Sequence, residues 1–360
     1  MSTNDSHALR LAGLRLRTFI STQTVDPEIQ HQQVIEFGSA VGVVSKNIAW
    51  VLLTSHHEHG LGPAMIWALS NNATELRIFT EQNAGDLARR ASFFNFKIAI
   101  YETSASASAS AAAVAGAAVA GAAVAGAALA LPLAVAVKTI SAADESFADF
   151  IRSSGAEITR EHGVLAGEVC GLEVCRVVHE TADSQVVESR LEIGVGTHDR
   201  ETFQLLHGRT ATIESLRKVV DEVASKRVVG TNPHPLNQLG RERLFRHLIC
   251  ALPHLVDAIS LETVSPPMPR ANLKDKIPCC AKGVRSDGRV VVVIFSIGVD
   301  TDVISFGADA RHAIDAQADL IFVSPQRDII PAITQLADLL HDPARFLGCN
   351  LLDAPTRRQD

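Results

Sequence analysis

The chain has 360 residues, 47% hydrophobic and 20% charged, a globular composition with room for two domains or one large one. A net charge of −7 excludes a generally cationic surface that would hold nucleic acid by neutralising phosphates, and leaves at most a local basic stripe. The six cysteines form no CxxC pair, so neither a zinc framework nor a disulfide scaffold is indicated, and a reducing, cytoplasmic compartment fits the chain.

Residues 1–46 open with "MSTNDSHALRLAGLRLRTF", which lacks the apolar stretch and small-residue cleavage site of a secretory signal. Its Leu/Arg pattern predicts an amphipathic helix, with a transit peptide as the alternative. Residues 47–102 then alternate. "NIAWVLLTS" is a short continuous apolar run and a buried-strand signal, "GPAMIWALSN" has helical spacing, "TELRIF" is a strand, "EQNAGDLARRASFF" a helix and "FKIAIYE" a strand.

Residues 103–137 break the pattern. The stretch 111–137 is 27 apolar residues long, more than the roughly 20 that span a bilayer. Fifteen are Ala, three Gly and only eight Val or Leu. Those eight contribute roughly −2.4 to −4.8 kcal/mol to insertion, offset in part by Gly and Pro132. No basic cluster or aromatic belt flanks the run. Gly116, Gly121 and Gly126 recur every five residues, a step that turns a helix by about 140°, so they form no packing seam. If the two α/β halves share one sheet, a single span would separate them. The run is read as a low-complexity insertion, with membrane association as the alternative.

The central region, 138–264, is read as mixed α+β. "GVLAGEVCGLEVCRVVHE" is a hairpin, "RLEIGVG" a further strand and "ATIESLRKVVDEVASKR" a helix with Thr212 as N-cap. "NQLGRERLFRHLICALPHLVDAI" reads as one or two helices broken at Gly240 and Pro253. Residues 265–288 are a Pro-rich connector. Residues 289–350 repeat the first pattern with "RVVVVIFS", "GADARHAI", "ADLIFVS" and "RDIIPAITQLADLLHD", and 351–360 are a tail. The order in "NNATELRIFTEQNAGDLARRASFF" returns in "DAQADLIFVSPQRDIIPAITQLADLL". The expectation is an α/β fold with a mostly parallel sheet covered by helices on both faces, as two Rossmann-like halves flanking the central region.

The strings "LEIGVGTHDRETFQLLHG", "NPHPLNQLGRERLFR", "PPMPRANLKDKIP" and "SIGVDTDVISFGADAR" together resemble a family of conserved proteins seen mainly in actinobacteria and without an established activity. The resemblance covers about residues 47–102 and 163–342. It lends no function, and it implies that 103–137 is an insertion.

Polar strings carry the candidate chemistry. In "EIGVGTHDRE", glycines after a strand allow a sharp turn, but the third glycine of a dinucleotide fingerprint is missing. Asp199 is either a helix cap or catalytic. Glu192 and His198 have no obvious structural task and join it as catalytic candidates, with Arg200 as a substrate-binding one. In "NPHPLNQLGRERLFR", His234, Asn237, Arg241 and Arg243 are substrate-binding candidates, because guanidinium forks suit carboxylate or phosphate. The alternative is a solvated basic face in which Glu242 pairs nearby. Asp300 and Asp302 follow a buried strand and are either turn residues or ligands of a divalent cation such as Mg²⁺. Glu168, Glu173 and Glu192 on adjacent strands resemble a nuclease metal site only weakly, for want of an acid-x-Lys. "SHHEHG" reads as a solvated loop rather than a metal site.

The best reading is a soluble α/β enzyme acting on a small anionic substrate, phosphate-bearing ones included, with metal-dependent hydrolysis as the candidate reaction class. A non-catalytic ligand-binding or scaffold protein and a membrane-anchored protein are the alternatives. Oligomeric state is not indicated. The discriminating question is whether Glu192, His198, Arg241 and Asp300 converge in one cleft.

Overall fold

The computed structural model describes residues 3–24, 27–55, 57–103, 127–136, 138–181, 187–228, 234–270 and 272–351. The chain divides into two compact units. The first comprises residues 1–134, 301–309 and 331–343, and the second comprises 135–300, 310–330 and 344–360.

The first unit is built on a six-stranded sheet whose strands lie side by side in chain order: β1 (Ile35–Phe37), β2 (Ala40–Ser45), β3 (Ile48–Leu53), β4 (Glu75–Thr80), β5 (Lys97–Thr103) and β6 (Ala127–Leu129). The β3–β4 and β4–β5 pairs are parallel, and the other three are antiparallel. The central strand "IAWVLL" is apolar throughout because helices cover both faces. Helix α1 (Thr3–Gln23) sets Leu16, Phe19 and Ile20 against Val41, Val43, Trp50 and Leu52. Helix α2 (Leu61–Ser70) lies on the other face, where Trp67 closes over Gly42 so tightly that a Cβ there would come within 2.5 Å of the ring. Helix α3 (Ala84–Ala91) carries Arg89 and Arg90, and both guanidinium groups bond the buried Asp309. The Asp302 carboxylate accepts the Gly62 N–H at 2.7 Å, which ties the 301–309 segment to the start of α2.

The second unit holds two sheets. One is a four-stranded antiparallel meander of β7 (Glu157–Glu161), β8 (Val164–Val169), β9 (Leu172–Thr181) and β10 (Val187–Ile193). It follows the short helices α4 (Ala142–Glu145) and α5 (Ala148–Ser153). Helix α6 (Thr197–His207) follows β10, and α7 (Ile213–Lys226) packs Leu216, Val220 and Val223 into the core of this sheet. The predicted cap of α7 is present as a reciprocal pair: Thr212 Oγ1 accepts the Ser215 N–H, and Ser215 Oγ accepts the Thr212 N–H.

Helix α8 (Arg241–Cys250) begins after Gly240, in the left-handed region at φ +51, and ends just before a 3-10 turn at Pro253–Val256, so the two expected breaks both occur. It packs Phe245 and Ile249 on the second sheet, whose strands run β11 (Ala258–Val264), β12 (Cys279–Arg285), β13 (Val290–Phe295), β14 (Asp319–Ser324) and β15 (Ala344–Gly348). The first two pairs of this sheet are antiparallel and the last two parallel. Helix α9 (Val303–Asp315) lies between β13 and β14 in the chain, and α10 (Pro331–Ala337) lies between β14 and β15.

The expected mostly parallel sheet is therefore corrected. All three sheets contain antiparallel pairs. The hairpin read over 163–180 and the strand after it are among them, whereas other antiparallel strands are ones the sequence hides: β1, β2 and β7 are short or polar at their ends, and β12 lies inside the stretch read as a connector. The two α/β halves occupy separate sheets, so the argument that a span would split a shared sheet does not apply. The two sheets do share one plan over five strands, antiparallel, antiparallel, parallel, parallel, in sequential order. The two strings that read alike fall at its fourth strand, β4 and β14. Neither order reverses direction as a doubly wound sheet does. Most of the Ala/Gly-rich run, residues 104–126 and 137, lies outside the described residues, and among those described no helix is long and apolar enough to cross a membrane.

Candidate functional site

The second unit carries a cleft of about 510 Å³ where β9, α6 and the 270–274 segment meet. Its lining includes four cations, Arg176, Arg200, Arg270 and Lys274, together with His198 and one acid, Glu173. The cations arrive by different routes. Arg176 stands on β9, three residues from Glu173, and donates to its carboxylate at 3.1 Å. Arg200, buried in the first turn of α6, donates to Glu173 at 3.0 Å and to Glu192 on β10 at 3.2 Å. Glu192 also accepts from Arg190 at 2.7 Å and from Gln204 at 2.8 Å. It is the anchor that orients Arg200, which gives it the structural task its sequence did not reveal.

Arg270 has no such partner. Its guanidinium forms no hydrogen bond or ion pair among the described residues. Burial lowers its proton affinity and the nearby Arg243 charge lowers it further, with only distant relief from Glu168, Glu173 and Glu161. Helix α6 begins at Gly196, at φ +82, with no side chain capping its N–H groups, so the positive end of its dipole adds to the same side of the cleft. Asp199 does not sit at the cap position. It lies within the first turn and reaches back to the Val195 N–H at 2.7 Å, and Gly208 ends the helix as expected.

Lys274 also lines a second cavity, of about 230 Å³, beside the N-terminus of α8, together with Arg241, Glu242, Lys276 and Asp328. Glu242 is 5% exposed and does not form the expected ion pair. Among the described residues its carboxyl meets only its own backbone N–H, and burial raises its pKa against the pull of Arg241, Arg270 and Lys276. The Arg241 side chain forms no hydrogen bond or ion pair among the described residues. A third hollow, of about 750 Å³ along α6 and α7, takes in Asp199 and His234.

The remaining candidates serve the scaffold. Arg243 joins a buried cluster of four charges in which it and Arg246 are both bonded to Glu161 and Glu168. Burial alone would raise the Glu161 carboxyl, but the two guanidinium groups outweigh it and hold it down at about 2. His234 Nδ1 accepts the Leu236 N–H at 3.3 Å, and Asn237 donates to the Lys226 carbonyl at 3.1 Å. Arg227, a residue the sequence did not single out, gathers the Cys170, Leu236, Leu239 and Gly240 carbonyls around one guanidinium, and burial lowers its pKa to about 10. It thereby fixes the loop that leads into α8.

The structure thus gathers His198 and Arg200 in the first cleft, Arg241 in the second cavity, and Asp199 and His234 in the third hollow. Glu192 lies behind the first cleft. Asp300 is half-buried in the loop after β13, in the second unit, whereas Asp302 belongs to the first unit with its carboxylate on Gly62. Among the described residues no group of three or more His, Cys, Asp or Glu side chains is placed to hold a metal ion. No family model matches the chain, and no curated protein or solved structure matches it.

Proposed function

We propose that the protein binds a small anionic molecule bearing phosphate or carboxylate groups in the cleft lined by Arg176, Arg200, Arg270 and Lys274. The observation that carries this reading is Arg270. A half-buried guanidinium without an acid partner among the described residues, held near another guanidinium, costs folding free energy. An anion in the cleft supplies the missing partner in bidentate form. Arg200 is held rigid by Glu173 and Glu192, so less side-chain entropy is lost when it also meets the ligand. The uncapped start of α6 adds N–H donors to the same anion.

A specific observation favours action on the ligand rather than binding alone. Glu242 is a buried carboxyl with no ion-pair partner among the described residues and a raised pKa, in the cavity that shares Lys274 with the cleft, the environment that suits a general acid or base.

Isothermal titration with inorganic phosphate, pyrophosphate and citrate tests the proposal. At least one should bind the intact chain, and Arg270→Ala should weaken that binding tenfold or more. The absence of binding by all three, or equal affinity in the variant, overturns it.

A further inference from the structure

The β8–β9 hairpin closes with a two-residue turn, since Val169 faces Leu172 in register. The turn residues, Cys170 and Gly171, have φ +46 and +72. Both positive angles belong to the tight hairpin turn that favours Asn-Gly or Gly-Gly, so a cysteine in the first position is held in a costly conformation. The turn cannot relax away. Gly171 is pressed on α8 so closely that a Cβ would lie 2.3 Å from the Arg243 carbonyl, and Arg227 Nε holds the Cys170 carbonyl at 2.8 Å.

One turn of α8 beyond Arg243 stands His247. Its Nδ1 is bonded to Glu157 on β7 at 3.1 Å, and the Cys170 thiol stands beside the ring. A nucleophile, a cation and the carboxylate that holds that cation therefore stand together, drawn from a turn, a helix and a strand. The bond to Cys170 first, and then Glu157, push the imidazole up to about 10, so it is a cation at neutral pH. A cation at a sulfur supports the nucleophilic thiolate. Cys170 is half-exposed, whereas Cys175, Cys279 and Cys280 are buried. Burial pushes Cys175 and Cys279 up to about 12, and Cys250 up to about 11.

We infer that Cys170, His247 and Glu157 form a thiol-modification centre whose co-reactant is a low-molecular-weight disulfide. The Cys170 proton passes to solvent while the imidazolium stays charged beside the sulfur, and the thiolate Sγ attacks one sulfur of the disulfide. The S–S bond of the reagent breaks, its other half leaves as a thiolate, and Cys170 is left in a mixed disulfide with no net oxidation.

The test is the rate of thiolate release from dithiobis-nitrobenzoate by the folded, full-length chain at neutral pH, with the modified residue identified by peptide mass mapping. One equivalent should be released at least tenfold faster than the rest and map to Cys170, and Cys170→Ser should remove that phase. His247→Gln should slow it tenfold or more while the far-ultraviolet dichroism is unchanged. Glu157 is exposed enough that Glu157→Gln should leave the fold intact, so it decides the matter if His247→Gln does not fold; the rate should fall at least threefold. A fast phase that maps to another cysteine overturns the inference. So does a Cys170 rate that does not depend on His247 or, where that variant is unfolded, on Glu157.

Discussion

Arg270 and Arg243 show that a guanidinium's role depends on what stands opposite it. Arg243 is one of two guanidinium groups satisfied by two carboxylates, whereas Arg270 is half-buried, repelled by Arg243 and without a carboxylate partner among the described residues. The two should respond oppositely to truncation. Arg270→Ala removes a repelled charge, so the unfolding free energy from urea titration should stay within about 0.5 kcal/mol of the parent chain or rise, while anion affinity falls. A loss of stability as large as that from a paired arginine would mean that Arg270 is a fold residue and not a ligand residue.

At the scale of elements, helix α8 is the pivot of the second unit. Its apolar face packs on the five-stranded sheet through Phe245 and Ile249. Its charged face reaches the four-stranded sheet through Arg243 and Arg246, which meet Glu161 on β7 and Glu168 on β8. Removing one member leaves carboxylates buried with too little positive charge. Arg246→Leu should therefore cost about 3–5 kcal/mol, read as a lowered urea midpoint by far-ultraviolet dichroism. Replacing one Arg and one Glu together should cost less than the sum of the single changes. The same anchoring sets the function. The start of α8 lines the cavity that holds Glu242, and its last turn carries His247 to the thiol, so both sites rest on one clamped helix.

At the scale of the molecule, the four-charge cluster makes stability depend on pH. The Glu161 carboxyl is held at about 2 in the folded chain against an ordinary value of 4.5. A depressed folded-state value stabilises above the unfolded value, and that contribution is lost as the pH falls from about 4.5 toward 2. The loss amounts to about 3 kcal/mol. Hydrogen-exchange protection factors in β7 and β8, corrected for the intrinsic rate at each pH, should fall over that window. Tryptophan fluorescence is the wrong probe for this event, because Trp50, Trp67 and the single tyrosine, Tyr101, all lie in the first unit.

The sequence by itself determined the elements whose signals are local. Continuous apolar runs marked β3 and β13 because strands covered on both faces need no polar alternation. Thr212 marked the start of α7 because a cap is set by residues three apart. The likeness of the strings at β4 and β14 marked a plan the two sheets share. The β8–β9 hairpin was legible because its turn is local, but the antiparallel partners β1, β2, β11 and β12 stayed hidden, since β12 acquires its place between β11 and β13 only by pairing with residues outside its own stretch. The site was legible in part. Arg200 and His198 reach the cleft, and the sequence singled them out because they cluster after a strand. Arg270, Lys274 and Glu242 were passed over or read as a surface pair, because burial is a property of what packs around a residue. Whether an arginine is free or spent, and whether a cysteine has a histidine beside it, are decided by distances between segments that only folding brings together.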